Sequence, residues 1–313
     1  MLYIIGLLAG FILANQSPIN AKLGAIFKSP FRSSLISFLV GTVFLSLTYF
    51  ISGQHANNLL TIAGQNPWWI WTGGIFGFFY LTSNILMFPK LGAIQTIILP
   101  ILGQVLMGEA IDTFGLFGAE RMPLGMMKIF GILALFVGIF VAVVLVNLRE
   151  SKREEQIDEK GETSVELNLW RVWGVVAGAL SAIQQAVNGH LGQALGSPVA
   201  SSVVSFVVGT VVIFVVVLVR DKSFKPTGLS LKGQPWWIFL GGIMGALFVL
   251  ASAYLVPKLG AGITVTLGLF GSIIGSMFVS QFGLWRSFKN RVTLIQIIGI
   301  VIMAAGVVLI KFG

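Results

Sequence analysis

Two pairs of side-chain amides recur at helical spacing inside apolar runs of this chain, Gln16 with Asn20 and Gln184 with Asn188. An i,i+4 spacing puts both members on one face of a helix. In hydrocarbon an amide either hydrogen-bonds across helices or lines a path for a polar solute. Both uses fit these pairs. Asn84, next to Thr82 and Ser83, and Gln104, beyond Gln95 and Thr96, supply further polar positions of the same kind. Glu109 and Asp112 are the two carboxylates that fall within or at the edge of an apolar run. A carboxylate held there can exchange protons, or it can simply end the run at the interface. Metal and cofactor chemistry is not expected. There is no cysteine, there are two histidines (His55 and His190), and neither Gly73-Gly74 nor Gly241-Gly242 is followed by the Lys-Ser/Thr of a phosphate loop.

The elements that position these residues are set by composition. Of 313 residues, 56% are hydrophobic and 10% charged, with mean hydropathy +0.93. A soluble domain would carry about a quarter charged residues, so the chain reads as an all-α, polytopic membrane protein. Ten spans can be marked, near 3–25, 33–52, 68–88, 94–111 and 127–147, then 171–193, 201–219, 236–256, 262–281 and 293–312. The first apolar run has no basic flank and no small-residue cleavage site, so it is expected to be a helix of the protein and not a removed signal. Pro89 and Pro257 are expected to stop the third and eighth spans, and Pro100 to kink the fourth. Tryptophans at span ends (Trp68, Trp69, Trp71, Trp170, Trp173, Trp236, Trp237 and Trp285) read as interfacial belt residues.

The chain is also written twice. Residues 6–145 overlay 174–313 at a constant shift of 168 with no gap. Gln16 and Asn20 fall on Gln184 and Asn188, Ser37-Phe38 on Ser205-Phe206, and Pro67-Trp68-Trp69 on Pro235-Trp236-Trp237. The expected organisation is a first five-helix unit at 1–148, a charged linker at 149–169 and a second unit at 170–313. Five is odd, so tandem units must cross the bilayer in opposite directions, as two five-helix inverted-topology repeats.

The net charge of +9 follows the same logic. Sixteen Lys and Arg fall on the side that holds the linker and four on the side that holds both termini. The linker side should therefore be cytoplasmic and both termini outside. With the basic residues placed between apolar spans, the partner they imply is the lipid bilayer and not nucleic acid.

The run Gln16-x-x-x-Asn20-x-x-Leu23-Gly24, then Ser29-Pro30, Ser37-Phe38-x-x-Gly41-Thr42, Gly103-Gln104 and Ile111-Asp112-x-Phe114-Gly115 resembles the YdcZ-like branch of the drug/metabolite transporter superfamily. The likeness covers the chain apart from the linker, in a fused two-repeat form. It implies a secondary transporter in the cell membrane, an exporter of a small organic solute by alternating access. Typical ten-helix members of the superfamily keep both termini in the cytoplasm, and the charge count here argues the reverse. On this reading Gln16, Asn20, Asn84, Gln104, Gln184 and Asn188 bind solute, Glu109 or Asp112 couples transport to protons, and a monomer or homodimer suffices. A passive channel or a non-transporting scaffold remains the alternative. An intramembrane enzyme is disfavoured, because no His-Glu-x-x-His motif, no cysteine and no Ser/His pair within the spans is present.

Overall fold

The protein is described here from a computed structural model covering residues 1–53, 59–145, 164–222, 233–287, 289 and 291–312. The described residues form helices and short turns, with no strand among them. Helix α1 spans Leu2–Phe27, α2 Pro30–Ile51, α3 Leu59–Gln65, α4 Gly73–Phe114 and α5 Met126–Ile139. In the second half α6 spans Ser164–Leu195, α7 Pro198–Arg220, α8 Leu240–Leu259, α9 Ala261–Phe282 and α10 Leu294–Phe312. Seven stretches among the described residues are long and apolar enough to cross a membrane: α1, α2, α7, α9, α10, Met126–Val143 and Trp236–Leu259. The linker expected at 149–169 lies outside the described residues as far as 163, and the chain is already helical from Ser164.

Local sequence explains where the helices begin and end. Ser29 caps α2, its Oγ accepting the Arg32 N–H at 3.3 Å, with Pro30 in the first turn. Ser197 and Pro198 repeat the device for α7, the hydroxyl accepting the Ala200 N–H at 3.1 Å. A hydroxyl satisfies an otherwise unpaired N–H, and proline suits the first turn because it has none to satisfy. Gly115 closes α4 and Gly283 closes α9, both in the left-handed region that glycine enters without strain. Pro257 lies inside α8, so the stop falls three residues later, at Gly260.

Helix α4 covers the third and fourth expected spans in one 42-residue assignment. A straight helix of that length would run about 63 Å, twice the thickness of a hydrocarbon core. Its contacts show that it is not straight. A Cβ on Gly174 of α6 would meet Met87 Sδ at 3.1 Å and Leu99 Cβ at 2.9 Å. Twelve residues of straight helix would separate those two positions by about 18 Å. Gly73 and Gly77 meet Asn188 and Gln184, further along α6, whereas Gln95 meets Arg171, Leu99 meets Gly174 and Gly103 lies between Val175 and Ala179. The first limb thus runs against the direction of α6 and the second runs with it. The two limbs are therefore joined by a reversal between Met87 and Leu99.

Contacts between the halves come in exchanged couples. Thr42 Oγ1 lies 2.9 Å from Thr210 Oγ1, and the Phe38 and Phe206 rings pack 5.3 Å apart. Each of these residues touches its own counterpart at the 168-residue shift. Elsewhere Asn20 rests on Gly241 as Asn188 rests on Gly73. Gly10 of α1 abuts the Gly268 carbonyl of α9, and Gly178 of α6 abuts the Pro100 carbonyl of α4. A Cβ at Gly10 or Gly178 would stand 2.0 or 1.9 Å from those oxygens, so backbone meets backbone and no larger residue fits. Where α5 crosses α10, Gly131 faces Gly306 and Gly138 faces Gly299.

Candidate functional site

The six amides fall into three settings. Asn20 and Asn188 are tied to neighbouring helices: Ser37 Oγ donates to Asn20 Oδ1 at 2.8 Å, and Asn188 Nδ2 donates to Ser205 Oγ at 3.1 Å. Gln16 lies against Gly245 and Gln184 against Gly77, each amide seated on the first turns of a third span from the opposite half. Asn84 and Gln104 come together beside Tyr80, both within polar reach of its phenol. Tyr80 was not singled out in the sequence, although its counterpart Phe248 has no hydroxyl and could have drawn attention to it. The counterparts of Asn84 and Gln104 are Ser252 and Ser272, so this polar cluster belongs to the first half alone.

Glu109 and Asp112 sit inside the last turns of α4, buried, and not at an exposed helix end. Glu109 Oε2 lies 2.7 Å from the Nζ of Lys128, itself buried in the first turn of α5. Asp112 accepts the Ala261 N–H at 2.7 Å and the Gly262 N–H at 2.8 Å. Those are unpaired donors at the start of α9, where a carboxylate also meets the positive end of the helix dipole. Each buried anion therefore has a distinct compensating charge, a lysine for Glu109 and a helix N-terminus for Asp112. The equivalent positions in the second half are Met277, Ser280 and Gln296, none of which is charged. Lys128 reads in the sequence as an orienting charge, and nothing local discloses its pairing.

Near this end of the molecule two aromatic side chains meet. Trp69, in the turn before α4, stands edge-on to Phe117 at 5.6 Å and packs on His190 at 5.3 Å. Beside them is a cavity of about 210 Å³ lined by Glu120, His190, Gln193 and Lys258. At the other end the counterparts repeat the motif: Trp237 meets Trp285 at 5.5 Å, and Trp285 Nε1 donates to Asn15 Oδ1 at 2.8 Å. Phe117 and Trp285 both carry positive φ, 54° and 59°. That conformation is costly for a residue with a Cβ, and it recurs where each half presents a ring to the first helix of the other. Trp68 and Trp236, by contrast, are 78% and 75% exposed, as belt residues should be.

The end that holds Trp285 has its own link between halves. Arg32 Nε lies 2.9 Å from Asp221 Oδ2, and Ser29 Oγ donates to the same oxygen. Arg220 stacks over Phe31, 4.6 Å from the ring centre. Among the described residues no cluster of three or more His, Cys, Asp or Glu could hold a metal ion.

An all-helical, membrane-crossing chain built from two like halves defines a class of polytopic membrane protein. The chain matches the family described as "Putative inner membrane exporter, YdcZ" (DMT_YdcZ) over residues 1–141 and again over 169–309, two stretches offset by the same 168 residues. It belongs to that family, and is a multi-pass protein of the cell membrane in a family of exporters. One crystal structure of a protein is similar in fold, with TM-score 0.67 at 15% identity over 99% of this chain and 96% of that one. No curated protein matches the chain.

Proposed function

We propose that the protein is a secondary transporter that exports a small organic solute by alternating access. Seven apolar helices, α6 and the two limbs of α4 make ten spans, five in each half. An odd number per half makes 1–148 and 170–313 inverted-topology repeats joined by the segment 149–169. The observation that carries this reading is the exchange of contacts between halves, above all Thr42 on Thr210 and Phe38 on Phe206. An interface of like elements related by a two-fold can rock to either side with small changes in packing, which is what alternating access requires.

Solute would be held by Asn84 and Gln104, joined at Tyr80, with Gln16 and Gln184 on the two first helices and Asn20 and Asn188 fixing their orientation. Glu109 is the preferred coupling acid: protonating it would release Lys128, whereas Asp112 is held by backbone donors that favour the anion. The Trp69–Phe117 and Trp237–Trp285 pairs would act as the two gates. One chain supplies both halves, so a monomer is sufficient.

The test is flux in proteoliposomes under an imposed pH gradient, with amines, amino acids, nucleosides and lipophilic cations as solutes. Saturable flux that follows the gradient, and loses that dependence in Glu109→Gln/Lys128→Met, is expected. Unsaturable flux would identify a channel instead, and no flux of any solute a scaffold.

A further inference from the structure

The two halves differ on one outer face. A groove of about 470 Å³ runs between α1, the start of α7 and α8, lined by Ile5, Leu8, Ile12, Leu247, Leu250 and Tyr254 among others. Its volume falls in the roughly 300–1,000 Å³ range of small-molecule sites. All three helices are apolar enough to lie in a bilayer, and Leu8 is 55% exposed, so the groove opens on lipid.

The counterpart face is smaller opposite Leu8, Leu250 and Tyr254 (Val176, Thr82 and Leu86) but carries larger groups at three other positions. Ile5 becomes Trp173, Val199 becomes Phe31 and Leu247 becomes Phe79 at the 168-residue shift. The indole of Trp173 is pinned by a 2.9 Å hydrogen bond to Ser83, the counterpart of Ala251. Phe31 is buried. Around Ile5, Val199 and Leu247, one half therefore fills with its own rings the space that the other leaves open.

The groove ends at a cationic rim. Exposed Lys258 holds its Nζ 4.4 Å over the ring of Tyr254, a lining residue. Exposed Lys311 lies 4.7 Å over Tyr3, two residues before Ile5 on α1. Side chains with an apolar body and a charged tip mark the level of lipid head groups. An apolar trough within the bilayer that ends at two lysines matches an amphiphile with an acyl chain and a negative head.

We propose that this groove is a binding site for an anionic phospholipid of the surrounding membrane, its acyl chain along Leu8 and Leu250 and its phosphate at Lys258 and Lys311. The groove shares no residue with the proposed solute ligands, and only Lys258 also borders the cavity beside Trp69, so lipid retention is read independently of flux.

Native mass spectrometry of the full chain, purified in mild detergent and exchanged with phosphatidylglycerol or phosphatidylcholine, tests this directly. The unmodified protein should retain phosphatidylglycerol over phosphatidylcholine by about 25-fold, each of the two rim lysines near an anionic lipid being worth about fivefold. Ile5→Trp/Ala251→Ser, which rebuilds the counterpart's filling, should remove the retained lipid. Lys258→Gln should cut the preference about fivefold and Lys258→Gln/Lys311→Gln, both exposed substitutions, should bring the two lipids to parity even where the filled variant does not fold. Equal retention of both lipids by the unmodified protein, or undiminished phosphatidylglycerol in the filled variant, would overturn the proposal.

Discussion

Thr42 and Thr210 stand 168 residues apart in sequence and 2.9 Å apart through their hydroxyl oxygens. Each is the other's counterpart, so the contact lies where the two halves meet as equals. The chain has no cysteine, which makes the pair convenient to test. Thr42→Cys/Thr210→Cys should form a disulfide under mild oxidation, since hydroxyls in contact bring the β-carbons near the spacing a disulfide needs. With a protease site placed in the linker, the cut halves should stay joined on a non-reducing gel and separate on reduction. Halves that separate without reductant would show that the two residues do not meet.

Asp112 should matter for stability through the start of α9. Asp112→Ala leaves the Ala261 and Gly262 N–H groups buried without acceptors, at a cost of about 1–3 kcal/mol. Asp112→Asn keeps one acceptor, so thermal midpoints followed by tryptophan fluorescence should rank wild type above Asn above Ala. Equal midpoints for Asn and Ala would mean that capping contributes nothing.

Glu109 and Lys128 should behave as a coupled pair. Removing one partner of a buried ion pair costs about 3–5 kcal/mol, whereas an apolar replacement of both can be nearly neutral. Glu109→Gln and Lys128→Met should each destabilise strongly, and the double variant should recover most of the loss. Additive losses in this cycle would show that the 2.7 Å contact is not an energetic one.

Arg286 follows Trp285 with φ at 61°, and its counterpart is Gly118 at φ 74°. Arg286→Gly should relieve about 1 kcal/mol of backbone strain and raise the thermal midpoint. A lowered midpoint would mean that the arginine side chain more than offsets its backbone cost.

Single cysteines in this cysteine-free chain also read out orientation. If the linker side is cytoplasmic, an impermeant maleimide should label Glu120→Cys in intact cells and reach Ser151→Cys only after lysis. The reverse pattern would invert the assignment of ends to sides.

The sequence is most informative where a rule is local. The serine caps at Ser29 and Ser197, and the glycines that close α4 and α9, follow from short-range rules and fall where those rules put them. The constant shift is equally plain in the sequence, and the family match over two stretches bears it out. The long-range pairings are not legible. Asp112 finds Ala261 at a separation of 149 residues, and Arg32 finds Asp221 at 189. No periodicity encodes which buried charge meets which helix end, because helix packing sets those distances. Trp285 and Trp69 fit an interfacial belt by position, yet they turn inward, since ring direction depends on a turn with positive φ at Trp285 and Phe117.

The two ends of the molecule are fastened by unlike means. One end is tied by Arg32 to Asp221, with 11% of each side chain exposed, and the other by Asp112, fully buried on two backbone donors. Salt weakens attraction between charges that water can reach and barely touches those it cannot. Raising ionic strength should therefore weaken the Arg32 fastening slightly and leave the Asp112 one unchanged. Two halves of nearly the same design are thus held at their two ends by fastenings of different kind, one a charge pair and the other a capped helix.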